Sequence, residues 1–212
     1  MTELMSGVVT ITLHEHVADV RLNRPDKMNA ADPAMWKALS TAGELLAGKK
    51  GVRAVVLSGN GRAFCAGLDM ATFQTMGSAD QPDLATRVGD RPNALPGNLF
   101  QRAALVWKRL PVPVIAALHG VAFGAGAQIA LGADLRIAGP DLRFSILEIK
   151  WGLIPDVGIS QTLRDVVRLD VAKELTFTGR VVQAEEARAL GLVTRISDDP
   201  LAHAMTLAAE IA

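Results

Sequence analysis

The chain is short of several things, and each shortage removes a class of function. It has one cysteine, Cys65, in 212 residues, so no intrachain disulfide can form, which fits a reducing compartment. Neither charge is in excess, with Lys plus Arg and Asp plus Glu at 22 each. That balance offers no electrostatic grip on nucleic acid or an anionic membrane. The N-terminus has no basic flank followed by an apolar run, the mark of a secretion signal. The longest apolar run, Val121 to Ala133, is too short and too rich in glycine to span a bilayer. What remains is a chain long enough for a substantial core. The expectation is a cytoplasmic, soluble protein of α/β class.

The stretch from Pro113 to Asp134, PVIAALHGVAFGAGAQIALGAD, organises the rest. Val114 to Leu118 has the continuous apolar pattern of a buried strand. Gly120, Gly124 and Gly126 follow, and then a short apolar helix that stops near Gly132. A strand feeding a Gly-rich turn and a helix N-terminus presents free backbone N–H groups. Glycine and alanine there allow close approach to the backbone, and the expected guest is an oxygen carrying negative charge.

Around this stretch, strands and helices alternate. Val8–Leu13 and Val17–Leu22 read as a hairpin. Asp32 and Pro33 open a helix as N-cap and first residue, with Met35, Leu39, Ala42, Leu45 and Leu46 as its apolar stripe and Gly48 as its end. Val52–Leu57 is another strand, followed by the glycine-rich loop SGNGRAFCAGLD. Residues 77–98 are rich in Gly, Pro and Asp, without a period, and are expected to form a mobile excursion. A helix over Phe100–Leu110 leads into the central strand, and strands over Leu135–Ala138 and Val193–Ile196 come later. Such alternation is α/β.

Two glycine-rich loops that each leave a buried strand, Ala63–Asp69 and Ala122–Gln128, can supply two N–H donors to one oxyanion. With these loops, the sequence resembles the enoyl-CoA hydratase/isomerase (crotonase) family. The resemblance rests on RLNRPDKMNA, RAFCAGLDM, PVIAALHGVAFGAGAQIALGADLRIA, FSILEIKWGLIPDVG and LTFTGRVVQAEEARALGLVTRI, in the family's order and over most of the chain. It implies a ββα spiral core with peripheral helices, spanning residues 1–196, and an incomplete C-terminal helical segment over 197–212. It also implies a homotrimer or dimer of trimers, an acyl-CoA thioester as substrate, no metal and no cofactor besides the CoA of the substrate. The thioester oxygen would sit between the backbone N–H groups of Leu68 and Ala125. Lys27, Met28, Ala30, Ala66, Asp69 and Met70 would line the CoA path, with Lys27 near phosphate.

The acid/base groups depart from the family's hydratases, which carry two glutamates. The second matches Glu148, whereas the first matches Gln128, an amide that exchanges no proton near neutral pH. Gln128 is expected to line the pocket beside Phe123 and to orient a water or a substrate oxygen. Asp156 falls where hydratases often have glycine, and looks like the aspartate of the family's dienoyl-CoA isomerases. Three activities follow from the resemblance. Hydration of a trans-2-enoyl-CoA is the family default. Double-bond isomerisation by Glu148 and Asp156 is the alternative, and non-catalytic acyl-CoA binding is a third. Cys65 reads as a small buried residue rather than a nucleophile, and His119 as structural. Asp134 reads as a cap or brace for the strand that follows it. A dinucleotide loop is a poor fit to Gly120–Gly126, because Ile129 stands where the third glycine belongs.

Overall fold

In the computed structural model, which describes residues 1–75 and 97–212, alternating residues at the start of the chain form an antiparallel meander. Its strands are β1 (Thr2–Met5), β2 (Val9–His14) and β3 (Val17–Leu22). The other strands are β4 (Ala54–Gly59), β5 (Val114–Leu118), β6 (Val121–Phe123), β7 (Leu135–Ala138), β8 (Arg143–Ser145), β9 (Val182–Gln183) and β10 (Arg195–Ile196). Seven make one sheet in the order β1-β2-β3-β4-β5-β7-β10, parallel from β3 onward. Parallel neighbours need crossovers. The helix Pro33–Ala47 joins β3 to β4, and the helix Ala125–Ala130 lies between β5 and β7. β6, β8 and β9 form a second sheet of three strands.

Sequence sets the helix ends. The Asp32 carboxylate accepts the Met35 N–H at 2.8 Å, Pro33 takes the first helical position, and Gly48 closes the helix. The helix Leu99–Lys108 begins with a reciprocal cap between Asn98 and Gln101. The two helices pack closely because Gly43 faces Val106, where an added Cβ would lie 2.2 Å from the nearest valine methyl. The rings of Trp36 and Phe100 meet edge to face with centroids 5.3 Å apart.

The large sheet is covered on both faces, as its period of two requires. Val55, Leu57, Ala116 and Leu118 point into the cluster that holds these two helices. Ala54, Val56, Ile115, Ala117 and Ile137 point the other way and meet Ala204 and Ala208 of the helix Pro200–Ile211. Asp134 braces β5 rather than the strand that follows it, accepting the Val114 N–H at 2.8 Å, because the parallel pairing of β5 and β7 brings the start of β5 beside it.

Some boundaries differ from the sequence reading. The strand expected over Val52–Leu57 runs from Ala54 to Gly59, and Leu45 is exposed rather than part of the helix stripe. A short strand, β6, stands between Gly120 and Gly124, where the sequence suggested only a turn. Three residues between glycines are too few to show a period. The excursion expected over residues 77–98 lies outside the described residues except for Gly97 and Asn98.

Candidate active site

The two glycine-rich loops lie side by side. The Cys65 N–H donates to the Val121 carbonyl and the Phe123 N–H to the Cys65 carbonyl, each at 3.0 Å. Gly126 lets the short helix seat on this ladder, since a Cβ there would lie 2.3 Å from the Cys65 carbonyl oxygen. Gly67 has φ +98°, and a Cβ on it would lie 2.8 Å from the Phe123 oxygen and 3.7 Å from the Ala125 nitrogen. The next N–H along one loop is that of Leu68, and Ala125 opens the helix on the other. Among the described residues neither N–H donates a hydrogen bond. Both residues line one cavity of about 550 Å³.

Glu148 and Asp156 line the same cavity. Glu148 starts a single 3-10 turn, Glu148–Trp151, and its carboxylate rests on Gly124, where a Cβ would come within 3.2 Å of Oε1. Desolvation pushes the Glu148 carboxyl above the ordinary carboxylate range; the Gln128 hydrogen bond offsets part of this, and the Asp156 charge adds to it. Asp156 is exposed, and partial desolvation raises its carboxyl in the same direction. Glu148 Oε2 is buried without a hydrogen-bond partner among the described residues. A carboxylate with one idle oxygen and a raised pKa suits proton transfer better than structural bonding.

Lys27, Met28, Ala30, Ala66, Asp69 and Met70 line the cavity too, with Lys27 exposed. Behind them lies a network that sequence reasoning did not single out. Asn29, in left-handed backbone at φ 56°, donates to the carbonyls of Asn60 and Ala63 and accepts the Arg24 N–H. The Arg24 guanidinium lies 3.3 Å from Asp69 and 3.4 Å from Asp32. Burial pushes the Asp69 carboxyl up, but the N–H groups of Thr72 and Ala71 and the Arg24 charge together hold it below its ordinary range. Arg24 and Asn29 stand in the motif NRPDKMN, yet only the fold shows that they join the turn to the other loop.

Trp36, Phe100, Leu147 and Val157 supply further apolar wall. Sequence reasoning missed them because they come from two helices and two loop segments that only the fold brings together.

Two expected pocket residues lie outside the lining. Phe123 is held by the ladder to Cys65, with Arg143 stacked 5.6 Å from its ring centroid. Gln128 has no exposed surface, and both ends of its amide are engaged by protein, so it does not reach a water or a substrate oxygen. Cys65 is fully buried and its thiol is pushed up to about 12 by desolvation, which leaves no thiolate for nucleophilic attack. His119 bonds the Gly61 carbonyl at 2.9 Å. Among the described residues no three His, Cys, Asp or Glu side chains gather as a metal site, and no helix is long and apolar enough to cross a membrane.

Residues 12–212 match the family model described as enoyl-CoA hydratase/isomerase. The mitochondrial Delta(3,5)-Delta(2,4)-dienoyl-CoA isomerase of Mus musculus is 36% identical over 209 residues, covering 97% of this chain and 64% of the mouse protein. This chain therefore spans slightly less than two thirds of that relative. A crystal structure of an enoyl-CoA hydratase from Mycobacterium smegmatis superposes with a TM-score of 0.82 at 33% identity, over 97% of this chain and 77% of that one. An enoyl-CoA hydratase/isomerase from Mycobacterium paratuberculosis superposes with a TM-score of 0.88 at 27% identity, over 98% and 80%.

Proposed function

We propose that this chain, which belongs to the enoyl-CoA hydratase/isomerase family, shifts double bonds along an acyl-CoA by proton transfer through Glu148 and Asp156. The observation that carries this reading is that both carboxylates share one cavity with the idle N–H groups of Leu68 and Ala125. Hydration needs a second group to activate water, and position 128, where the family's hydratases have it, is a buried amide. The name of the mouse relative, a dienoyl-CoA isomerase, supports the same choice.

In the proposed reaction the thioester oxygen accepts the two N–H groups. When a proton leaves the carbon next to the thioester, its electron pair moves onto that oxygen as an enolate. Preset donors hold the charge as it develops, each worth about 3–4 kcal/mol. The pair then returns through the conjugated chain while a proton is added at the far end, so a 3,5-diene becomes a 2,4-diene with no net gain or loss of atoms. Glu148 rests on Gly124, one residue before the Ala125 donor, and is assigned to the near carbon. Asp156 is assigned to the far one. The residues from Lys27 to Ala30 and from Ala66 to Met70 are assigned to the CoA moiety, with Lys27 at phosphate. This chemistry calls for no metal and no redox cofactor.

The test is turnover of a 3,5-dienoyl-CoA in deuterated water, beside crotonyl-CoA hydration and a binding titration. Wild type should form the 2,4-diene and hydrate crotonyl-CoA poorly. Glu148→Gln should slow isomerisation by about 10²–10⁴-fold and stop deuterium exchange at the near carbon. Asp156→Asn should keep that exchange and lose isomerisation. Fast crotonyl-CoA hydration that is indifferent to Asp156→Asn would restore the hydratase reading, and binding without either reaction the non-catalytic one.

A further inference from the structure

Gln128 belongs to the short helix Ala125–Ala130, three residues after the Ala125 donor, and none of its surface is exposed. Its amide spans two elements. The Val157 N–H is bonded to Gln128 Oε1 at 2.9 Å. A backbone N–H only donates, so this bond fixes which end of the amide is oxygen. The NH2 end therefore faces Glu148 and donates to Oε1 at 2.5 Å. Val157 directly follows Asp156, so one side chain connects the Glu148 carboxylate to the turn that carries the second carboxylate.

The two oxygens of a free carboxylate are equivalent. Here Oε1 is engaged by the amide, and Oε2, in a residue that lines the cavity, is buried with no partner among the described residues. We propose that Gln128 is a positioning residue: it leaves Glu148 one reactive oxygen, Oε2, and fixes that oxygen relative to the Asp156 turn. This rests on the isomerase reading for its chemical meaning, though not for its test. Proton transfer between two carbons needs two carboxylates at a fixed separation, and a neutral amide can hold one of them without adding a third charge. A glutamate at 128 could donate to Glu148 only when protonated.

A donor to Oε1 favours the ionised form, so losing it moves Glu148 in a defined direction. Asp156 is the charged group that bears on Glu148. On the neighbouring helix Leu169–Thr178, Asp170 is paired with Arg168 and Glu174 with Arg180, and Lys173, like Lys150 on the 3-10 turn, is exposed.

The experiment uses Gln128→Met, which removes both bonds, and Gln128→Glu, which keeps the shape and the acceptor for Val157. The Glu148 carboxyl is titrated by difference infrared spectroscopy, its band assigned by its loss in Glu148→Gln. The pH profile of kcat/KM on a dienoyl-CoA is recorded in parallel. Gln128→Met should move the Glu148 midpoint and the acidic limb of the profile to higher pH together. Below the limb, kcat/KM should fall roughly tenfold for each pH unit moved, with KM little changed where Glu148 is ionised. Gln128→Glu should move the midpoint further, because two facing carboxylates share a proton. If either folded variant keeps the wild-type midpoint, Gln128 is only a satisfied core amide and the proposal is overturned. The infrared titration needs no turnover, so a chain inactive on dienoyl-CoA would sink the isomerase reading while Gln128 is still decided.

Discussion

Burial raises the Glu148 carboxyl, and the Gln128 amide pulls it back only in part. A carboxyl whose folded pKa lies above its unfolded one contributes stability that is complete below the unfolded value, about 4, and is lost as pH rises through the folded value. Above that window the charged group opposes folding. Glu148→Gln should therefore melt at a higher temperature than wild type near pH 8, and the gap should close in acid. Thermal unfolding from about pH 4 to 8 measures it. A variant no more stable than wild type across the whole range would mean that burial does not penalise this charge. Asp156 shifts in the same direction, but it is exposed, so water screens its charge and Asp156→Asn should show the same sign with a smaller gap.

Among the elements, the ladder between the two loops decides whether the donors face one gap. Gly126 has no left-handed backbone, so its substitution tests space alone. An added methyl would lie 2.3 Å from the Cys65 carbonyl oxygen and 2.8 Å from its Cβ. Both neighbours are too short to move without moving backbone. Gly126→Ala should cost about 1–3 kcal/mol by overpacking, read by urea unfolding. It should also lower kcat more than it raises KM, because the Ala125 N–H shifts with its helix. Unchanged stability with normal kcat would show that the loops part freely.

For the whole molecule, the helix Pro200–Ile211 covers the sheet face opposite the site. Ala204 and Ala208 are fully buried there against Val56, Ile115 and Ala117. Both are small because the helix lies close to the strands. Ala204→Asp would bury a charge with no partner and should cost several kcal/mol, enough to unfold much of the population at 37 °C. Circular dichroism melting checks it. A soluble variant with a near-wild-type melting temperature would mean that the helix can leave the sheet at little cost. The same layer supports β4 and β5, from which both active loops depart, so a partial loss should lower activity before the fold is lost.

Local chemistry made much of this legible beforehand. Strand alternation in Val17–Leu22, the Asp32–Pro33 start and Gly48 stop of the first long helix, and the two glycine-rich loops are all set by neighbouring residues, through side-chain period, capping and backbone freedom. The family motifs carried Leu68, Ala125, Glu148 and Asp156 in order, and the fold brings all four to one cavity. Other features were decided by contacts between segments far apart in sequence. No local pattern tells that Asn29 bonds Asn60 and Ala63, that Arg24 meets Asp69, or that Trp36 and Phe100, on two different helices, meet at the cavity. Gln128 shows the division most clearly. Sequence alone fixed that it is an amide, hence no acid. Only the tertiary structure decided that the amide faces Glu148 and the Val157 N–H, because a hydrogen bond depends on where two distant backbones bring their atoms.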